Sequence, residues 1–219
     1  MPEYIDLSHV IDNDTISYKG LPAPIICDYL SRVDSISRYE EGTSFQIGRI
    51  DMVGNTGTYI DCPFHRYEDG KDLAEVELLR FVDLPAIKIE AHYKNGIEID
   101  VRHFEGFDIK DKAVLIQTDW SDHWMTDVYY QHHPYLTGRA ATYLMEQGVI
   151  LVGIDSHNID DTRTNARPVH SILLKHEILI VEHLCNLKRI EKSTFLFSAV
   201  PPKIKGMGTF PVRAFATCQ

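Results

Sequence analysis

Eleven consecutive residues, Asn55-Thr56-Gly57-Thr58-Tyr59-Ile60-Asp61-Cys62-Pro63-Phe64-His65, hold the densest set of groups in this chain able to do chemistry. A carboxylate and an imidazole four residues apart, Asp61 and His65, can point into one cavity if the backbone between them is stiff. Pro63 stiffens it by fixing its own φ and removing an N–H, and Gly57 admits conformations closed to residues with a side chain. In such a cavity Asp61 can hold a metal ion, and His65 can bind the same ion or move protons. The same residues also read as a capped turn, with Asp61 accepting backbone N–H groups and His65 solvated. Cys62 has no activating base in the sequence around it and reads as an inert small residue.

The surrounding pattern says what must position these groups. Residues 45–53 alternate apolar and polar, as a half-buried strand does, and residues 66–72 are polar and turn-rich. The eleven residues are therefore expected where a strand runs out into a loop. Further strands are expected at 4–11, 25–33, 86–91, 195–200 and 210–216. The almost wholly apolar runs 113–118, 149–154 and 178–181 read as buried central strands. Residues 137–148 predict a helix capped by Thr137 and ended by Gly148. Residues 167–176 predict another, with Pro168 near its start. Shorter helices are expected at 73–81 and 102–107. Trp120 and Trp124 follow a central strand, where they either wall an aromatic pocket or plug the core edge, and residues 155–161 read as a pocket-lining loop. Helix followed by apolar strand is the rhythm of an α/β fold. No repeat or linker divides the 219 residues, which predicts a single domain over 1–219.

Composition narrows the function classes. With 44% hydrophobic and 25% charged residues the chain reads as an ordinary globular protein. A formal net charge of −10 disfavours nucleic acid and anionic membranes as partners. No apolar run approaches the ~20 residues of a membrane helix, and the acidic N-terminus lacks a signal-peptide pattern. The four cysteines form no C-x-x-C pair, against a thiolate zinc site or a redox motif. A cytoplasmic protein with reduced thiols is expected.

The eleven-residue stretch resembles the signature of the metal-dependent cyclase family, which includes bacterial kynurenine formamidase and isatin hydrolase. That signature reads His-x-Gly-Thr-His-x-Asp-x-Pro-x-His, and this sequence matches it at Gly57, Thr58, Asp61, Pro63 and His65. Asn55 and Tyr59 stand where the family has histidines. The resemblance recurs in the C-terminal third, at His170-Ser171-Ile172-Leu173-Leu174, at Ile180-Val181-Glu182-His183-Leu184 with Asn186-Leu187, and at Pro211-Val212-Arg213-Ala214. It therefore spans nearly the whole chain.

The resemblance implies an α/β fold of the swivelling β/β/α type, with a mixed sheet or barrel and flanking helices. It implies a metal-dependent amide hydrolase of the arylformamidase kind, which splits N-formylkynurenine into kynurenine and formate. Metal-activated water would attack the amide, with His65 as acid/base. It places metal ligands at Asp61, His170 and Glu182. The two replaced histidines leave a set with one nitrogen and two carboxylates, for one divalent ion, Zn²⁺ or Mn²⁺. His9, His157 and His183 are candidates to replace the missing ligands. The substrate implied is a small amide, aromatic in the parent reaction, and the assembly a homodimer or homotetramer. Two other readings stand beside this one: hydrolysis of a cyclic imide, lactam or lactone, and a member that has lost catalysis and only binds a ligand.

Overall fold

Alternate residues of a strand leave a sheet in opposite directions, and in the centre of this molecule both directions are apolar. The structure, a computed structural model, describes residues 2–218. In chain order its strands are β1 (Glu3–Asp6), β2 (Ile25–Leu30), β3 (Ile47–Asp51), β4 (Tyr59–Asp61), β5 (Leu84–Glu90), β6 (Glu98–Ile99) and β7 (Ala113–Gln117). They continue as β8 (Tyr135–Leu136), β9 (Leu151–Ile154), β10 (Leu179–Glu182), β11 (Phe195–Ser198), β12 (Thr209–Pro211) and β13 (Phe215–Cys218). The α-helices are α1 (Arg32–Ser35), α2 (Gly138–Glu146) and α3 (Pro168–Lys175).

Nine strands make one mixed sheet in the order β1-β13-β11-β5-β7-β9-β10-β4-β12. Its middle, β5-β7-β9-β10, is parallel, and both flanks are antiparallel. On one face Leu115, Leu151, Leu179 and Val181 pack with Ile60, Leu73, Phe81 and Leu187. On the other, Val114, Ile116, Val152 and Ile180 pack against Leu144 of α2 and Val169 and Leu173 of α3. The sheet curls so that its two ends meet: Leu7 N donates to Ala214 O, Val212 N to Thr58 O and His9 N to Thr58 Oγ1. The expected α/β fold, a mixed sheet with flanking helices, is the one observed.

This alternation aims the chemistry. Ile60 points into the first core, so Tyr59 and Asp61 must point to the other face, where α3 lies. Glu182, two residues beyond Ile180, points the same way. Register completes the arrangement: β10 sets Glu182 opposite Tyr59 and Ile180 opposite Asp61, while β12 sets Thr209 opposite Asp61.

Four local expectations are corrected. Residues 73–81 form no α-helix, only a single 3₁₀ turn at Leu78–Arg80. The Asp72 carboxylate accepts the N–H groups of Ala74 and Glu75 and closes a turn in its place, leaving Leu78 and Leu79 exposed. Residues 45–53 do hold a strand, but β3 pairs only with β2 in a separate two-stranded ribbon, exposed along its whole length. The alternation there marks a ribbon open on both faces rather than a half-buried strand. Asp61 lies within the main sheet, on β4, and not in a loop leaving a strand. Residues 210–216 are two strands at different places in the sheet, because Val212 and Ala214 cross between its two ends.

Gly208 holds the loop before β12 against the turn that follows β4. A Cβ on it would lie 2.3 Å from the His65 backbone N and 2.5 Å from its Cα. Backbone cannot yield as a flexible side chain does. Gly208→Ala is expected to lower the urea midpoint by the equivalent of about 1–3 kcal/mol, the range typical of overpacking. An unchanged midpoint would show that the 62–65 and 206–209 loops are free to separate.

Candidate active site

β4, α3 and β10 bring Asp61, His170 and Glu182 to one point beneath a cleft of about 240 Å³. His170 Nε2 lies 3.7 Å from Asp61 Oδ2 and 3.8 Å from Glu182 Oε1. Both carboxylates are fully buried, and His170 is 6% exposed. His65 stands at the cleft wall with a third of its side chain exposed, its Nδ1 3.6 Å from Asp61 Oδ1. One ligand atom from each of Asp61, His65 and His170 falls within 4.8 Å of the others.

Each group is held by a partner that the register supplies. The Thr209 hydroxyl, opposite Asp61, donates to Asp61 Oδ1 and lies 2.7 Å from His65 Nδ1. With its proton spent on Asp61, Thr209 Oγ1 accepts from His65 Nδ1–H. His65 Nε2 is then the basic nitrogen. On α3, Asp160 accepts the N–H groups of Val169 and His170 at 2.7 and 3.0 Å and lies 2.6 Å from His170 Nδ1. One buried carboxylate thus caps the helix and turns Nε2 of the imidazole toward Asp61 and Glu182. Glu182 is held by Ile159 N–H at 2.6 Å on Oε1 and by the hydroxyls of Tyr59 and Tyr18 on Oε2.

The electrostatics follow from burial. Burial works against a charged His170, but Asp160, Asp61 and Glu182 outweigh it and hold the imidazole up at about 10. Burial pushes the Glu182 carboxyl up, against the pull of His170. Burial, with Glu182 beside them, lifts the Tyr18 and Tyr59 phenols well above their ordinary range. Burial also raises the Cys62 thiol to about 12, so it stays a thiol near neutral pH.

The donor set fits a divalent cation. Asp61 Oδ2 is buried and has no hydrogen-bond partner among the described residues. It lies 3.7 Å from His170 Nε2, and the same nitrogen lies 3.8 Å from Glu182 Oε1, so nitrogen and carboxylate donors of the kind that hold a divalent cation gather here. At the two positions where the resembled signature has histidines, Tyr59 donates to Glu182 and Asn55 lines the cleft.

His9, His157 and His183 do not join this group. They lie behind the tyrosines: Tyr18 packs on His157 at 4.5 Å and on His183 at 5.5 Å, and His9 stacks on Trp124 at 4.0 Å. Trp120 donates to Tyr129 O, and neither tryptophan lines the cleft. Asn158, in the loop expected to line a pocket, does line it and donates to Tyr18 Oη at 2.7 Å. Thr209 and Tyr18 carry no motif that marks them in the sequence. Asp160 falls within the 155–161 loop, but its grip on His170 shows only in the fold.

The chain is similar to known proteins over its full length. The model of the Cyclase family matches residues 5–161. The kynurenine formamidase of Bacillus cereus is 29% identical over 215 residues, 97% of this chain and 96% of that protein. That of Bacillus anthracis is 27% identical over the same span. Among solved structures, isatin hydrolase A from Labrenzia aggregata superposes with a TM-score of 0.85 at 22% identity, covering 99% of this chain and 94% of that one. Isatin hydrolase A from Ralstonia solanacearum gives 0.85 at 21%, covering 100% and 92%. At these identities the structural likeness concerns the fold.

The histidine cluster behind the site carries a pH dependence. Burial pushes His157 down to about 3 and His9 down to about 4. Both folded-state values lie below the unfolded ~6.5, so the unfolded chain takes up protons first as pH falls. The stability they contribute is complete above about pH 6.5 and is lost as pH drops toward 4 and then 3, at up to about 1.4 kcal/mol per pH unit per histidine. Urea midpoints should fall between pH 7 and pH 5, and His157→Gln should flatten that fall. An equal slope in the variant would assign the acid sensitivity to other groups.

Proposed function

The chain belongs to the Cyclase family, and from that premise we propose that it is a metal-dependent hydrolase of a small-molecule amide, of the kynurenine formamidase type. The observation that carries this reading is the buried, unpartnered Asp61 Oδ2 beside His170 Nε2, with Glu182 Oε1 near the same nitrogen, beneath an open cleft. Full-length similarity to kynurenine formamidases supports the substrate class.

Asp61, His170 and Glu182 are the residues that would hold one divalent cation, and a nitrogen with two carboxylates suits Zn²⁺ or Mn²⁺. When bound, such a cation supplies Lewis acidity, which makes water a nucleophile near neutral pH and polarises an amide carbonyl. The chain's own groups do the rest. Asp160 keeps the His170 tautomer that presents Nε2. His65, exposed at the cleft wall, takes a proton at Nε2 and returns it to the departing amine. Thr209 holds the opposite edge of that ring. Tyr59 and Tyr18 keep Glu182 in place from its far oxygen.

The remaining parts of the reading have their own supports. All four cysteines are free, in keeping with a cytoplasmic setting, and among the described residues no helix is long and apolar enough to cross a membrane. The β2–β3 ribbon exposes Ile25, Tyr29, Ile47 and Ile50, apolar area that a homodimer or homotetramer would cover. One core-connected sheet running from β1 to β13 supports a single domain over residues 1–219.

The test is hydrolysis of N-formylkynurenine, followed by kynurenine absorbance. His65→Ala should lower kcat by about 10²–10⁴-fold with metal content unchanged; loss of the metal in that variant would make His65 a ligand instead. Asp160→Asn should weaken metal binding by about 10–100-fold, read by chelator competition. Metal affinity equal to wild type in Asp160→Asn would remove Asp160 from the account.

A further inference from the structure

The cleft has a basic rim. Arg66, next in sequence to His65, and Arg167, at the start of α3, both line it. Both are fixed by neutral partners. Arg167 Nη1 is held by the backbone carbonyls of Asp161, Thr164 and Ala166 at 3.3, 2.7 and 2.7 Å. Arg66 Nε donates to Ser171 Oγ at 3.2 Å, and that hydroxyl in turn donates to Arg167 O at 2.8 Å. Ser171 therefore ties the Arg66 side chain to the Arg167 backbone. Neither forms an ion pair among the described residues, although acidic side chains outnumber basic ones by 32 to 22. Arg163, nearby in sequence, does pair, with Asp161. Two guanidinium groups at the rim of one cleft without a counter-ion leave uncompensated positive charge there, which an anion offsets. Nη2 and Nε of Arg167 have no partner among the described residues, which leaves it N–H groups for a forked contact.

The rest of the cleft needs such a device. Glu182 lines it, with Asp61 buried behind, and the chain as a whole is strongly acidic. Positive charge at the mouth draws an anionic substrate toward the cleft against that overall charge. We propose that Arg66 and Arg167 form a carboxylate clamp, and that the amide taken by this site carries a carboxylate on the portion of the molecule remote from the scissile bond. The clamp holds that carboxylate at the rim while the amide reaches toward His65 and His170. Its function as a substrate clamp rests on the amide-hydrolase reading; its preference for an anion does not.

Two matched pairs of probes separate the two claims, on the full chain as purified. The first pair, 4-aminobenzoate and 4-aminobenzamide, has a carboxylate in one member and a neutral amide in the other, across the ring from the amino group, and reports binding by its own fluorescence. The second, 4-formamidobenzoate and 4-formamidobenzamide, reports hydrolysis. Wild-type protein should bind the benzoate at least about tenfold more tightly than the benzamide. Arg66→Gln and Arg167→Gln should each shrink that ratio, and the double variant should bring it near one. Arg66 is exposed, and Arg66→Gln should melt near wild type. Arg167 is half-buried and holds three carbonyls, so Arg167→Gln is read alongside its circular dichroism and melting curve, with Arg66→Gln carrying the test if Arg167→Gln is destabilised. A preference that survives in the double variant would place the carboxylate on another group, the metal included, and would overturn the clamp. Equal binding of the two probes in wild type, or binding of neither, would overturn it as well. Tighter binding of phenyl phosphate than of benzoate would overturn the assignment to a carboxylate. An arginine-dependent preference with no hydrolysis of either formamide would uphold the anion site and defeat the hydrolase reading. Hydrolysis of both formamides at equal kcat/KM, unchanged in the double variant, would do the reverse.

Discussion

The structure turns on one carboxylate. Asp61 is fully buried on a strand paired on both sides, and one of its oxygens has no hydrogen-bond donor among the described residues. A buried carboxylate is costly unless positive charge stands beside it. In the chain alone that charge is the proton on His170, held up at about 10. Proton and divalent cation would offset the same charge, so the geometry that holds the imidazolium is the one that would receive the proposed metal. The neighbouring elements serve this point: Thr209 fixes the other oxygen of Asp61, Asp160 turns His170, and the pleat of β4 and β10 faces Asp61, Tyr59 and Glu182 toward α3.

Tyr59 sets this chain apart from the family signature. A histidine at this position would offer a lone pair to a cation. A phenol kept protonated by burial offers a hydrogen, and Glu182 takes it. Tyr18 adds a second hydroxyl to the same carboxylate oxygen, and Asn158 donates to Tyr18 in turn. The space served by two histidines in the signature is thus knitted into a hydrogen-bonded wall, and a cluster of neutral histidines packs behind it. What remains open to a cation is the side where His170 Nε2 and Glu182 Oε1 face Asp61. On the reading proposed above, this is why one metal is expected in place of two.

Much of this was legible in the chain because it depends on local pattern. The apolar runs at 113–118, 149–154 and 178–181 have no polar face to reconcile with solvent, and each became a buried central strand. Thr137 and Pro168 mark the starts of α2 and α3 as capping chemistry predicts. Asp61 and His65 stood out because two ionisable groups flank a proline. Less legible was whatever depends on register. Nothing in the sequence says that Thr209 lies opposite Asp61, that Tyr18 reaches Glu182 across 164 residues, or that Asp160 grips His170. The same blindness explains residues 45–53, where period-two alternation correctly gave a strand but could not say that no second layer covers it. At 73–81 the apolar spacing suited a helix, and a single carboxylate, Asp72, diverted the first turn.

The central claim is that this site binds a single divalent cation through Asp61, His170 and Glu182. It is tested most directly by elemental mass spectrometry on untagged protein purified without chelator. The account predicts about one zinc or manganese per chain, falling to near zero in His170→Ala. Two metals per chain, or none after incubation with both ions, would contradict it.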